Sequence, residues 1–390
     1  MSSRHEPARW VPVVSGVLGT LFVCAVVWAC GASSEVSVEA DPDSGGGTSG
    51  RTPPPPPPPT DAEIVDSAAP DGDTDGGPTP NGATTPNLKV AFIGDTGSGA
   101  DFKSVLQLIV REKADFVMIQ GDLTYGFSLT PAADWFTAVD NEINKAQPGS
   151  TAAVTVPFFV SKGNHDISWG GLGDGLGQGL KARLATWGVP AGNGDPTKRN
   201  YSLVYKGLKM VMVDETETNP TRADYVDSQL KNDTQIWKIC SWHKNMRASN
   251  VGPKNDEMGW AIYENCRNQG AIVAQGHSHT YSRSKTLIKD SDQTVDTACA
   301  DPFAPCVGPG KHFFFDSSIG GEDTRSLEAS VAAAPYWAST YTGSFGALFI
   351  TFNVDGNPKK AEGYFKTVGD VVVDPPAGSG KTKFTITKSP

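Results

Sequence analysis

From Leu88 onward, short apolar runs that end in polar, glycine-containing turns alternate with amphipathic segments. The run LKVAFIGD is followed by DFKSVLQLIVREK, whose apolar residues recur at helical spacing: Phe102, Val105, Leu106, Ile109 and Val110. Similar pairs follow as far as AIVAQGHSH, after which the apolar runs KHFFFDSS, GALFITFNV and EGYFKTV have few helices between them. Strands that first alternate with helices and then follow one another predict an α/β domain of stacked layers with mixed β-sheets, over residues 88–390.

Residues 31–87 have the composition of a disordered tether. They contain GGG, seven consecutive prolines (Pro53–Pro59) and DGDTDGG, with almost no large apolar side chains whose burial could offset the entropy of ordering. The tether also carries most of the net charge of -10, because its many acidic residues are accompanied by Arg51 alone. Residues 88–390 are therefore nearly neutral, and they show no basic patch of the kind that binds nucleic acid.

The first 30 residues predict export. Arg4 and Arg9 precede an uncharged stretch from Val11 to Ala29, which is typical of an export signal. Ala29 followed by Cys30 fits a bacterial lipoprotein, in which Cys30 becomes a lipidated N-terminus that binds the membrane. The alternative is a retained anchor, since about 19 apolar residues just span a bilayer. Both interpretations send the rest of the chain outward, so we expect it in the cell envelope, at the surface or secreted.

Four cysteines follow Cys30 in the chain, and we interpret them as structural. An exported domain can hold disulfides. Cys299 and Cys306 would close a short loop, which leaves Cys240 and Cys266 as the second pair. None of the four has zinc-finger spacing.

Polar residues gather where the predicted strands end. Ligands of α/β sheets bind at the carboxyl ends of strands, and glycines there let the chain turn sharply. Together these segments supply aspartates, a tyrosine, an asparagine and four histidines, which are more donors than one zinc site uses. The sequence therefore predicts a site for two metal ions. The segments are Gly94-Asp95-Thr96-Gly97, Gly121-Asp122-Leu123-Thr124-Tyr125, Gly163-Asn164-His165-Asp166, Trp242-His243 and Gly276-His277-Ser278-His279.

Taken together, GDTG, GDLTY, GNHD, a lone histidine after a strand and GHSH resemble the five-part motif of the calcineurin-like metallophosphoesterases. Two details are similar to the purple acid phosphatase branch: Asp95 is followed by Gly97 rather than by a histidine, and Tyr125 lies three residues after Asp122. The resemblance covers 88–281 by motif and extends to about residue 321 through FFFDSSIGG. It implies a layered αββα metallophosphoesterase sandwich with mixed β-sheets.

The resemblance also implies which residues hold the two metal ions, with Asp122 as the bridge between them. The first ion would be held by Asp95, Asp122, Tyr125 and His279. The second ion would be held by Asp122, Asn164, His243 and His277. A phenol ionises near pH 10, so a coordinated phenolate favours the strongly acidic Fe(III) at the first site. Zinc, manganese or Fe(II) would suit the second.

The implied activity is hydrolysis of phosphate monoesters by a metal-bound hydroxide. His165 would be catalytic, by stabilising the equatorial phosphoryl oxygens or protonating the leaving group. Asp166 either orients site groups or is a turn residue. Lys244 and Arg247 stand where better-known acid phosphatases have further histidines, and they either bind phosphate or belong to a solvated loop. His312 is expected to be structural.

Two other functions are compatible with the same residues. A phosphodiesterase or nuclease could use the same two-metal core. A non-catalytic surface module that contains metal is the alternative from another class, although the intact set of predicted ligands argues against it.

Overall fold

The computed structural model describes residues 85–125, 131–143, 156–167, 169, 175–190, 192–218 and 221–390. These residues belong to the compact unit Gly72–Pro390. The predicted export segment 1–30 with Cys30, and the predicted tether 31–87 up to residue 84, lie outside the described residues. Within the described ranges, no helix is long and apolar enough to cross a membrane.

Strands and helices alternate through the first two thirds of the described chain, and strands dominate the last third. The helices are α1 Ala100–Arg111, α2 Pro131–Ile143, α3 Leu176–Leu184, α4 Arg222–Leu230, α5 Trp260–Asn268 and α6 Ala329–Ala332. The strands are β1 Leu88–Ile93, β2 Phe116–Gln120, β3 Phe158–Ser161, β4 Tyr201–Tyr205, β5 Leu208–Met212, β6 Trp237–Ser241, β7 Ile272–Gln275, β8 Tyr281–Ser284, β9 Leu287–Lys289, β10 Thr294–Val295, β11 Cys306–Val307, β12 Phe314–Ser317, β13 Trp337–Tyr341, β14 Gly346–Phe352, β15 Lys360–Thr367, β16 Val372–Asp374 and β17 Phe384–Lys388.

The strands form two large mixed sheets. The first has the order β11-β17-β15-β14-β1-β2-β3, with β16 added beside β15. The second has the order β13-β8-β12-β7-β6-β5-β4, and β9 pairs with β10 separately. In the first sheet β1, β2 and β3 run parallel. In the second, β5, β6, β7 and β12 run parallel.

The two sheets pack face to face through an aromatic and aliphatic core. Phe92 of β1 meets Phe315 of β12 edge-on, with ring centroids 5.0 Å apart. Side chains alternate across β5: Met210 and Met212 join the core between the sheets, whereas Val211 joins a second cluster that includes residues of α4 and α5. Helices therefore cover the outer face of the second sheet.

The outer face of the first sheet is covered by α1 and α2. Phe102 of α1 stacks on Trp135 of α2 at 5.9 Å, and both belong to the core cluster of that sheet. With α4 and α5 on the opposite side, the layers are helix, sheet, sheet and helix. This arrangement confirms the predicted αββα sandwich with mixed β-sheets.

Both predicted disulfides are present. Cys240 of β6 is bonded to Cys266 of α5, and Cys299 is bonded to Cys306. The first bond fastens an outer helix to the second sheet, and the second closes a loop whose ends are seven positions apart.

Candidate metal centre

The five polar segments meet at one rim of the sandwich, at the carboxyl ends of parallel strands from both sheets. Hydrogen bonds join the sheets there. The Gly94 amide donates to the Ser317 carbonyl at 2.8 Å, and the hydroxyls of Ser161 and Ser241 are 2.7 Å apart. Loops that lie far apart in sequence are therefore held at a common edge, where ligands of α/β folds bind.

One group of predicted ligands contains Asp122, His243 and His277, whose ligand atoms all lie within 4.8 Å of one another. His243 Nε2 lies 3.0 Å from Asp122 Oδ2 and 3.0 Å from His277 Nδ1. The buried Asn164 Oδ1 has no hydrogen-bond partner among the described residues. A buried acceptor of this kind is costly unless something binds it. These four residues are the predicted ligands of the second metal.

The predicted ligands of the first metal converge on the phenol oxygen of Tyr125. This oxygen is 3.0 Å from Asp95 Oδ1, 3.2 Å from Asp122 Oδ2 and 3.5 Å from His279 Nε2. His279 Nε2 is in turn 3.1 Å from Asp95 Oδ1. Asp122 Oδ2 thus belongs to both groups, as a bridging carboxylate must.

The imidazole rings are oriented by partners on their outer sides. His243 Nδ1 donates to the Gln120 carbonyl at 2.8 Å, and His277 Nε2 lies 3.0 Å from a Glu257 carboxylate oxygen. His279 Nδ1 contacts the Asp323 carboxylate. Because the Gln120 carbonyl only accepts hydrogen bonds, His243 carries a proton on Nδ1 and presents its Nε2 as a ligand. The Glu257 and Asp323 carboxylates lie beside the outer nitrogens of His277 and His279, so the inner nitrogens of these two rings face the other predicted ligands. The lone pairs of His243 Nε2 and His277 Nδ1 then face each other, which is favourable only with a cation or proton between them.

The backbone is strained at the proposed ligands. Asp95, Asp122, His277 and His279 have left-handed φ angles of 54°, 52°, 77° and 56°. Such conformations cost about 1–3 kcal/mol each at residues other than glycine, and they cluster at functional sites. Gly163 shows how tightly the loops approach, because a Cβ built on it would lie 2.2 Å from Asp122 Oδ1. The donor set and its geometry therefore fit two cations.

Residues 88–281, about half of the 390-residue chain, match the calcineurin-like phosphoesterase family. The chain belongs to this family. A purple acid phosphatase, PPD1 from yellow lupin (Lupinus luteus), is similar in structure with a TM-score of 0.55 at 19% identity, covering 79% of this chain. The match covers 55% of the lupin chain, so this protein spans about half of that relative's length.

A second solved structure, PhoD, matches with a TM-score of 0.46 at 13% identity over 74% of this chain and 67% of its own. No curated protein sequence is significantly similar to this one. At these identities the likeness to the lupin enzyme shows the fold of this phosphoesterase and nothing finer.

Asp166 fastens two loops of this phosphoesterase to each other. Its buried carboxylate accepts backbone N–H groups of Asp122, Leu123 and Thr124 at 3.0, 2.8 and 3.1 Å, and of Gly163 at 2.8 Å. Asp166 therefore orients site groups, one of the two roles predicted for it, because its hydrogen bonds fix the turns that carry Asp122 and Asn164.

His165 lies at the open side of the centre. Its side chain is 51% exposed, and its ring lies 4.5 Å from the ring of Tyr125. The backbone N–H of His165 donates to Asp122 Oδ1 at 2.8 Å, so the carboxylate predicted to bridge the metals also holds this residue in place. The imidazole is therefore accessible to a substrate that reaches the two groups of ligands.

The pKa values of the side chains in the phosphoesterase centre are shifted by burial and by the charges of neighbouring ligands. Burial alone would lower the pKa of His243, but Asp122 and Asp95 outweigh it and raise this pKa to about 10. Burial, followed by the charge on His243, lowers the pKa of His277 far below its usual range. Burial and then the charges of Asp95 and Asp122 raise the pKa of the Tyr125 phenol. A bound cation must therefore displace protons from this cluster.

Acidic residues hold the two basic residues that were predicted to bind substrate. Lys244 Nζ lies 2.8 Å from a Glu257 carboxylate oxygen, and Arg247 forms an ion pair with Glu328. Their role in phosphate binding stays a prediction.

Three residues that contact the predicted ligands were not predicted from the sequence. Glu257 and Asp323 contact His277 and His279, and Lys254 Nζ lies 3.4 Å from His277 Nδ1. In the sequence, these residues are recognisable only as charged residues in the segments that follow β6 and β12, and charge alone does not identify a contact with a ligand.

Proposed function

We propose that this phosphoesterase hydrolyses phosphate monoesters at a centre of two metal ions that share Asp122. The observation that carries the proposal is the position of Asp122 Oδ2, which lies 3.0 Å from His243 Nε2 and 3.2 Å from the Tyr125 phenol oxygen. One carboxylate oxygen thus contacts both groups of predicted ligands. Membership of the calcineurin-like phosphoesterase family supports hydrolysis of a phosphate ester.

Two cations bound there would acidify water and offset the negative charge of the phosphoryl group. The chain itself positions the substrate. Asp122 and Asp166 fix the loops around the centre through the backbone bonds described above. The exposed imidazole of His165 is placed to hydrogen bond to a phosphoryl oxygen or to give a proton to the leaving oxygen.

The donor types support the proposed identity of the ions. Tyr125, Asp95 and the shared Asp122 offer anionic oxygens, which suit Fe(III). Asn164 with His243 and His277 offers an amide and two imidazoles, which suit zinc, manganese or Fe(II).

We also propose that the protein works outside the cytoplasm, either lipidated at Cys30 or anchored by residues 11–29. The two disulfides support an oxidising compartment. If Cys30 is lipidated, radiolabelled palmitate should enter the full chain expressed in a bacterium, and a Cys30→Ser variant should lose the label; an anchored chain should reach the membrane without the label. Equal labelling of both chains would contradict lipidation at Cys30, and a cytoplasmic wild-type protein would contradict export.

Turnover tests the central function. Chelator-treated protein should be inactive toward p-nitrophenyl phosphate, and addition of iron with zinc or manganese should restore activity. Asp122→Asn should lower metal affinity by more than the roughly 10- to 100-fold that loss of an outer partner costs. Activity on bis(p-nitrophenyl) phosphate alone would instead indicate a diesterase. A metal-loaded protein that hydrolyses neither ester would contradict the proposal.

A further inference from the structure

The segment between β6 and α5 carries His243 at its start and then passes beside the second group of ligands. Lys254, in the middle of this segment, places its Nζ 3.4 Å from His277 Nδ1. The same nitrogen of His277 faces His243 Nε2 at 3.0 Å. The ammonium of Lys254 therefore lies on the inner side of the histidine pair, next to the predicted position of the second metal.

The backbone on the N-terminal side of Lys254 is held firmly against the site. A Cβ built on Gly252 would lie 2.6 Å from the Ser278 carbonyl oxygen, so this glycine allows the segment to contact the turn between the two ligand histidines. The Val251 carbonyl accepts the Glu328 amide at 2.7 Å. Lys254 is thus presented to the cleft by a fixed backbone.

Lys254 differs from the other basic side chains of the segment in its charge environment. Lys244 and Arg247 are paired with Glu257 and Glu328. Among the described residues, the contact found for the Lys254 ammonium is the ring nitrogen of His277, and no carboxylate forms an ion pair with it. An ammonium without a counter-ion beside a metal cleft is suited to bind an anionic substrate.

The charge of the substrate determines what this lysine would select. A phosphate monoester carries close to two negative charges at neutral pH, because its second ionisation has a pKa near 6. A diester carries one charge and has an organic group in place of the second ionisable oxygen. A cation beside the metals therefore strengthens binding of the monoester more than of the diester.

We propose that Lys254 binds a phosphoryl oxygen of the substrate and makes the site selective for phosphate monoesters over diesters. The selectivity rests on the proposed function, whereas binding of phosphate by Lys254 can be measured without turnover. Lys254 would then have the phosphate-binding role that is predicted from the sequence for Lys244 or Arg247.

The test is binding of inorganic phosphate to metal-loaded protein, measured by isothermal titration calorimetry. Lys254→Met keeps the length of the apolar stem and removes the charge. Loss of one charge-assisted hydrogen bond should weaken phosphate binding by about 10- to 100-fold. Lys231→Met is the matched control, because Lys231 is 54% exposed and paired with Asp227 on the surface. The control should bind phosphate like the wild type.

Metal content and kinetics separate the outcomes. Lys254→Met should retain both metals, raise KM for p-nitrophenyl phosphate, and raise KM for bis(p-nitrophenyl) phosphate by a smaller factor. If Lys254→Met kept its metals and bound phosphate as tightly as the wild type, the inference would be wrong. Loss of metal from this variant would also overturn it, because Lys254 would then support the metal ligands and not the substrate. If Lys254→Met does not fold, Lys254→Gln serves as the second variant. Absence of turnover in the wild type, with phosphate binding still dependent on Lys254, would contradict the proposed function alone.

Discussion

Replacement of Asp166 by asparagine should loosen the centre without removing a predicted metal ligand. Each carboxylate oxygen of Asp166 accepts two backbone N–H groups: Oδ1 those of Leu123 and Thr124, and Oδ2 those of Asp122 and Gly163. An asparagine retains one oxygen and turns an NH₂ group toward the other two donors. Two buried N–H groups then lose their acceptor, whichever way the amide is oriented.

The structure sets the size of the effect. An unsatisfied buried donor costs about 1–3 kcal/mol, so two should lower the free energy of unfolding by about 2–6 kcal/mol. Burial and the charge of Asp122 raise the pKa of Asp166, which means that ionised Asp166 is itself disfavoured. Removal of that charge relieves some repulsion, so we expect a loss toward the lower end of this range.

Urea unfolding of chelator-treated protein measures this loss, and a titration with zinc measures the effect on metal binding. Asp301→Asn is the matched control, because Asp301 accepts one exposed amide, that of Phe303, and asparagine can still accept it. The control should stay within about 0.5 kcal/mol of wild type. Asp166→Asn should also bind metal about 10- to 100-fold more weakly. If Asp166→Asn kept the stability and metal affinity of the wild type, Asp166 would not be needed to hold the two loops at the centre.

Three further predictions separate ligands from supporting residues. Iron-loaded, oxidised protein should show a visible phenolate-to-Fe(III) band that Tyr125→Phe removes while some iron remains; full iron without a band in the wild type would contradict a phenolate ligand. Gly163→Ala should lower metal content measured by mass spectrometry, because its Cβ would collide with Asp122 Oδ1, and full occupancy would contradict that geometry. His312→Ala should lose about 2–4 kcal/mol in urea unfolding because the buried ring bonds to Ala271 and Asp290, yet its metal content should be unchanged.

The site could be located from sequence because its side chains follow strand ends closely. Asp122 comes two residues after β2 ends, and Tyr125 follows in the same turn. These short segments can be recognised in the sequence because each places a glycine next to a polar residue directly after an apolar run. The helix–sheet–sheet–helix layers were predictable for a similar reason, since apolar spacing reports local structure.

Features that depend on distant contacts could not be predicted from local patterns. β14 pairs with β1, with Ile350 opposite Val90, across most of the domain sequence. Lys254 and Lys244 look alike in the sequence, and only the folded segment shows that one faces His277 and the other Glu257. The sequence identifies basic residues that could bind phosphate, but only the folded path of the loop shows which of them lies beside the predicted metal ligands.

The shared carboxylate is tested most directly by an anomalous difference map from crystals of the metal-loaded protein. We predict two peaks about 3.5–4 Å apart. Both should lie about 2.0–2.2 Å from carboxylate oxygens of Asp122, one beside Tyr125 and the other between His243 and His277. A single peak, or two peaks of which only one contacts Asp122, would contradict a centre of two metal ions that share this carboxylate.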